Sequence, residues 1–176
     1  IRWARLHATE YNIDVNRMVA AGQSAGGELA AFMGATNEME PFEGDGCNKK
    51  ISSKADAVID LDGTLAFIHP ESGEGDDSKR ISAATHWFGY SKTENPGLWK
   101  QAAPLTHVGK HSPPTQFISS GVARMHAGRE DFIKILKQHN IYSEVREFVG
   151  SPHSFILFNP WFDTTVVYMD KFLRRV

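Results

Sequence analysis

The stretch "NRMVAAGQSAGGELAAFMGA", residues 16–35, constrains the fold more than any other part of the chain. Its apolar run "RMVAA" (17–21) has the profile of a strand buried on both faces. From Ala25 to Gly34, small and apolar residues suit a helix pressed closely against its neighbours. Between the two lies Gly22-Gln23-Ser24-Ala25-Gly26, where a strand must become a helix within a few residues. So sharp a turn strains the backbone at its centre, and flanking glycines remove the Cβ atoms that would clash there. The turn lifts the Ser24 hydroxyl clear of a sheet. It also sets the next N–H, that of Ala25, at a helix start, where it can face developing negative charge.

The rest of the chain repeats the alternation. "ADAVIDLDG" (55–63) reads as a second buried strand closed by a turn, and "SPPTQFISSG" (112–121) as a third, entered through Pro113 and Pro114. "YSEVREFV" (142–149) alternates as a fourth strand. "REDFIKILKQHN" (129–140) is the clearest helix, with Phe132, Ile133, Ile135 and Leu136 on one side and Asn140 as its stop. "PWFDTTVVYMDKFLRRV" (160–176) reads as a terminal helix opening at Pro160. At the other end, Trp3, Leu6 and His7 share helical spacing, so residues 2–9 are expected to end a helix packed on the sheet. Residues 37–54 and 68–80 are polar loops, and 81–105 hold short helical pieces around the aromatic run "HWFGY". Strands alternating with helices predict an α/β fold with a mostly parallel sheet. With 41% hydrophobic residues, 176 positions suffice for a sizeable core.

Charge and composition exclude several partners. Nineteen basic against twenty-one acidic side chains leave no basic footprint for nucleic acid or an anionic membrane. No apolar run approaches the roughly 20 residues that span a bilayer. The single Cys47 can form no internal disulfide and reads as structural. No His, Cys, Asp or Glu cluster has metal-ligand spacing, and no organic cofactor is implied. A small or neutral molecule is the expected partner.

A neutral serine is a weak nucleophile and needs a base. Of the eight histidines, His153 in "FVGSPHSFILF" falls after the last strand and before the last helix, where the base of such a fold belongs. His69, His86, His107, His111 and His139 read as surface or structural residues, while His126 follows the third strand in "SSGVARMHAGRED".

These segments together resemble the α/β-hydrolase superfamily, in particular its acyl-esterase branch of acetyl xylan esterases, feruloyl esterases and lipase-like proteins. "YNIDVNRMVAAGQSAGGELAA" is similar to the nucleophile segment, "QAAPLTHVGKHSPPTQFI" to the strand leading into the acid loop, and "FVGSPHSFILF" to the histidine segment. The resemblance implies a serine esterase, a carboxylic ester hydrolase that works through an acyl-enzyme. Its implied substrate is plant-type carbohydrate bearing acetyl or aromatic acyl groups. A lipase or peptidase of the same fold, or a non-catalytic hydrolase-like binding protein, is the alternative. A plant polysaccharide substrate would imply a secreted or periplasmic protein. Trp87, Phe88, Tyr90, Trp99 and Trp161 are candidates for sugar stacking, with plain packing as the other role.

The chain departs from the family pattern at the third triad member. The loop "GVARMHAGRED" after the third strand carries no carboxylate before Glu130 and Asp131, which read as the dipole-favoured first turn of a helix. Asp62, on the turn ending "VIDLDG", is the first choice, with Asp131 or Glu130 as alternates and a missing acid as a third option. Asp60 falls inside the strand, where an ionised carboxylate is costly without partners. In the family the second oxyanion donor lies on a Gly-rich loop upstream. The resemblance therefore reads residues 1–176 as the C-terminal two thirds of a single α/β-hydrolase domain lacking its N-terminal strands. An N-terminal segment is expected to complete it; alone, the chain would expose a sheet edge and an apolar face.

Overall fold

The computed structural model describes residues 1–46 and 48–176, so Cys47 lies outside the described residues. Four parallel strands run in the order β1 (Val19–Gln23), β2 (Ala57–Leu61), β3 (Thr115–Ser119) and β4 (Ser143–Glu147). Parallel neighbours require crossovers, and here helices supply them. The helices are α1 (Arg2–Leu6), α2 (Ala8–Tyr11), α3 (Ala25–Ala35), α4 (Ala83–Phe88), α5 (Pro96–Ala102), α6 (Arg129–Gln138) and α7 (Trp161–Arg175).

Alternation along the strands divides the core. Val58 and Phe117 join Ala30, Ala31 and Ala35 of α3 and Phe132, Ile133 and Leu136 of α6 on one face. Ala57, Ile59, Leu61 and Ile118 join Phe155 and Phe172 on the other, with Trp161, Tyr168 and Met169 of α7 against them. The alanines and glycines of α3 allow close approach: Gly34 faces Val58 and Pro113 with no room for a Cβ. A third cluster, Phe67, Trp99 and Ala103, gives the long β2–β3 connection its own small core.

Central and outer strands differ. β2 and β3 are buried at every position, as strands covered on both faces must be. On β1, Val19 and Ala21 are exposed, and β1 pairs only with β2 among the described residues. Leu29 and Met33 of α3 are also exposed.

Two expectations need correction. The N-terminal helix does not bury a face on the sheet: α1 and α2 bury no residue, and the Trp3 ring lies tilted against His7 and Tyr11 instead. Helical spacing identified the helix but not a surface to receive it. The first strand also starts later and runs further than "RMVAA", through Gly22 to Gln23, because its ladder to β2 continues up to the Gln23–Leu61 pair.

Candidate active site

Ser24 follows β1 directly and is the N-cap of α3, with φ 57° and ψ −123°. A non-glycine residue rarely occupies that region, so surrounding structure must hold it there. Its N–H donates to Leu61 O at 2.9 Å and its carbonyl accepts from Glu28 N at 3.0 Å, tying the turn to β2 and to the first turn of α3. The two flanking glycines are not equivalent. A Cβ on Gly22 would overlap the Gly26 carbonyl group, whereas a Cβ on Gly26 would meet nothing within 4 Å. The expectation that both glycines relieve a clash through their own missing side chains therefore holds for Gly22 and not for Gly26.

Asp62 follows β2, also with a positive φ, 58°. Its side chain is fully buried, and Oδ1 accepts the Ser120 N–H from beyond the end of β3 at 2.8 Å. His153 comes from the turn after β4. That turn is fixed by the Gly121 N–H to Ser151 O (3.2 Å), by the Phe155 N–H to Pro152 O (3.1 Å), and by the burial of Phe155 in the core.

These three loops leave the same end of the sheet and bring their side chains into line. His153 Nδ1 lies 2.8 Å from Asp62 Oδ2, and His153 Nε2 lies 2.8 Å from Ser24 Oγ. In the tautomer with the proton on Nδ1, that nitrogen donates to the Asp62 carboxylate and Nε2 presents its lone pair to the serine hydroxyl. Glu130 and Asp131 are not part of this group. Glu130 pairs with Arg129 at 3.0 Å, and Asp131 lies 3.5 Å from His69 Nε2. Both stand in the first turn of α6. Ala25 opens α3, so its N–H is among the first-turn amides that an α-helix leaves without an internal acceptor.

Two supporting contacts have no sequence signature. The Ser120 N–H that holds Asp62 is a backbone donor that any residue type except proline could supply. The Gln23 side chain donates from Nε2 to the His153 carbonyl at 2.7 Å, across 130 residues.

Beneath the serine turn lies a second acidic feature. Asp60 sits opposite Gly22 on β2, and Gly27 and Gly63 both approach its Oδ1 so closely that neither has room for a Cβ. Its Oδ1 accepts the Gly63 N–H at 2.7 Å. Burial above all lifts its pKa to about 8; Asp62 and Glu28 raise it further, while the Gly63 bond and Arg129 oppose. Glu28 is lifted to about 7, first by burial and then by Glu74.

The candidate sugar platforms separate by burial. Trp99 is fully buried and donates Nε1 to Tyr90 O, Phe88 packs against it, and Trp161 packs on the sheet. Trp87, 82% exposed, and Tyr90 remain open to solvent. His126 is occupied with the Ser120 carbonyl at 2.9 Å. No group of three or more His, Cys, Asp or Glu side chains among the described residues is arranged to hold a metal ion.

The BD-FAE family model matches residues 1–124, a span that includes Ser24 and Asp62. The chain belongs to the BD-FAE family. Solved structures agree on the α/β-hydrolase fold. A truncated carbohydrate esterase from gut microbiota superposes with TM-score 0.75 at 20% identity, covering 98% of this chain and 65% of its own. Esterase Est2 of Thermogutta terrifontis gives TM-score 0.71 at 26% identity, covering 98% and 59%. An acetyl ester-xyloside bifunctional hydrolase from Caldicellulosiruptor lactoaceticus gives 0.68 at 20%, again covering 98% and 59%. This BD-FAE chain thus spans 59–65% of the length of these three proteins. No curated protein sequence matches it at a significant level.

Proposed function

We propose that Ser24, His153 and Asp62 are the nucleophile, base and orienting acid of a serine carboxylester hydrolase. One observation carries the reading: the two 2.8 Å contacts that link the strained Ser24 turn through His153 to a fully buried carboxylate. His153 Nε2 takes the hydroxyl proton as Ser24 Oγ bonds to the ester carbonyl carbon. The carbonyl oxygen becomes an oxyanion, and the Ala25 N–H at the positive end of α3 donates to it. Asp62 holds the tautomer and stabilises the imidazolium. The C–O bond to the alcohol breaks, and the alcohol leaves with the proton from His153. Water, activated by the same imidazole, then hydrolyses the acyl-enzyme.

For the substrate we propose carbohydrate ester carrying acetyl or aromatic acyl groups. In support, the chain's structural likenesses include a carbohydrate esterase and an acetyl ester-xyloside hydrolase. The exposed Trp87 and Tyr90 offer aromatic faces of the kind sugars stack on. The chain is further proposed to be the C-terminal part of one hydrolase domain, with an N-terminal segment of the same protein pairing the open edge of β1, covering Leu29 and Met33, and supplying the second oxyanion donor. Against a non-catalytic binding protein of the same fold, the Asp62–His153 contact at 2.8 Å supports a complete set of three catalytic groups even though the loop after β3 carries no carboxylate before Glu130.

The test is covalent labelling of the full-length protein with a fluorophosphonate, alongside hydrolysis of a short acetyl ester, a long-chain ester and a peptide. The expected result is labelling that Ser24→Ala abolishes, with preference for the acetyl ester. A folded protein that takes no label refutes the reading.

A further inference from the structure

Three chain segments meet at the candidate site, and their mutual placement decides whether the His153 lone pair reaches the Ser24 hydroxyl. Asp62 orients the imidazole ring about its own bonds, but it cannot fix where the backbone of residue 153 stands. The loop is anchored on either side, by Ser151 O to the Gly121 N–H and by Phe155 in the core. No backbone N–H among the described residues reaches the His153 carbonyl itself. Gln23 does: its Nε2 donates to that oxygen at 2.7 Å. Only the nitrogen of the amide can donate to a carbonyl, so the side-chain orientation is fixed by chemistry. Gln23 is the last residue of β1, paired in register with Leu61, and its successor is Ser24. The residue that precedes the nucleophile thus grips the residue that carries the base.

We infer that Gln23 is a positioning residue that sets the distance between Ser24 Oγ and His153 Nε2 by holding the His153 main chain against the end of β1. The inference rests on the esterase reading of Ser24 and His153. It explains why the middle position of the Gly-x-Ser junction carries a long amide rather than another small residue. Alanine or serine would satisfy the turn but would leave the carbonyl of residue 153 without this donor. A misplacement of well under an ångström in such a relay is felt as rate, because the proton transfer needs near-linear hydrogen-bond geometry. Substrate affinity has no reason to change.

The experiment compares Gln23→Met and Gln23→Glu with wild type in the full-length protein. Hydrolysis of an acetyl ester is followed across pH, together with the rate of fluorophosphonate labelling and thermal unfolding. Methionine fills the same space without a donor, so kcat and the labelling rate are expected to fall about tenfold at every pH, with KM unchanged and the unfolding midpoint retained. Glutamic acid donates to a carbonyl only while protonated. The ratio of Gln23→Glu to wild-type kcat is therefore expected to fall as pH rises, whereas the Gln23→Met ratio stays flat. Variants that keep kcat within twofold of wild type, or a flat Gln23→Glu ratio, overturn the inference. If Gln23→Met fails to fold, the slope of the Gln23→Glu ratio decides alone. A wild type that neither labels nor hydrolyses overturns the esterase reading, which is a different failure from an active wild type indifferent to residue 23.

Discussion

Ser24 and Asp62 directly follow neighbouring strands with nearly the same positive φ, 57° and 58°, yet the two turns satisfy it in different ways. A side chain at positive φ costs on the order of 1–3 kcal/mol, which surrounding contacts must offset. For Ser24 the steric clearance is local, since Gly22 clears the Gly26 carbonyl within one turn of chain, and a single backbone bond to Leu61 O adds to it. For Asp62 it is remote: the carboxylate is held by Ser120, 58 residues on, and by His153, 91 residues on. A local requirement imprints a spacing on the sequence, and a remote one does not. Gly22-Gln23-Ser24-Ala25-Gly26 announces itself, while Asp62-Gly63 looks like any strand-ending turn.

The largest effect that could break this pairing of turns is at Asp62. In Asp62→Asn, Oδ1 can still accept the Ser120 N–H, but the amide nitrogen then faces His153 Nδ1 and favours the wrong tautomer. The expected result is a fall in kcat of about 10³ to 10⁴ with the fold retained, measured as steady-state ester hydrolysis with circular dichroism. Activity within tenfold of wild type would mean that the Asp62 turn does not serve the Ser24 turn.

The next effect sharpens the local side. Gly22→Ala forces a Cβ onto the Gly26 carbonyl, so a loss of about 2–3 kcal/mol is expected in urea denaturation. Gly26→Ala meets open space inside a helix and is expected to be neutral or to stabilise by up to about 1 kcal/mol. Equal losses at both positions would return the turn to a symmetric requirement for glycine.

The same distinction between local and remote causes governs how much of the molecule is legible in the sequence. The four strands and the helices α3, α6 and α7 can be read from apolar runs, the 3.6-residue period and stop residues, because each signal lies within one element. Strand ends shift by two residues or so, since the ladder to the partner strand sets them, as at Gln23 with Leu61. Packing partners are less legible. Trp3 and Leu6 have the spacing of a buried helical face and are exposed, whereas Trp99, in an unremarkable Pro-Gly-Leu-Trp stretch, is among the most buried side chains. For the candidate acid, chain order leaves Asp62, Glu130 and Asp131 open, and only the parallel order of β1, β2, β3 and β4 brings the loops after β2 and β4 to the serine. The family match stops at residue 124, so His153 rests on geometry and on its place between β4 and α7.

Asp60 separates the two turns by pH. Burial holds its carboxyl protonated, with a pKa of about 8 against an ordinary 3.8. A folded-state pKa raised in this way contributes stability that is complete below about 3.8 and is lost progressively as pH rises to about 8. Glu28, raised to about 7, adds a loss of the same sign over the lower part of that window. Asp60→Asn stays neutral, and its Oδ1 can still accept the Gly63 N–H. Its stability relative to wild type is therefore expected to grow between pH 4 and pH 8, read as a rising difference in unfolding midpoint. A difference independent of pH would show that Asp60 is ionised beneath the Ser24 turn, with Arg129 as a charge that favours the ionised form.

The smallest effect is expected at Glu130 and Asp131. Glu130→Gln loses an exposed pair with Arg129, and Asp131→Asn a loose contact with His69. Exposed pairs of this kind contribute about 0–1 kcal/mol, and the α6 dipole adds a few tenths more. Arg129 keeps its bond to Ser119 Oγ at 2.8 Å in both variants, so the end of β3 and the Ser120 N–H behind Asp62 stay where they are. The acetyl-ester kcat should therefore change by less than about twofold, since neither substitution moves a group that His153 touches. A tenfold fall in either variant, set beside an active Asp62→Asn, would transfer the acid to α6 and leave the strained turn after β2 as a packing device.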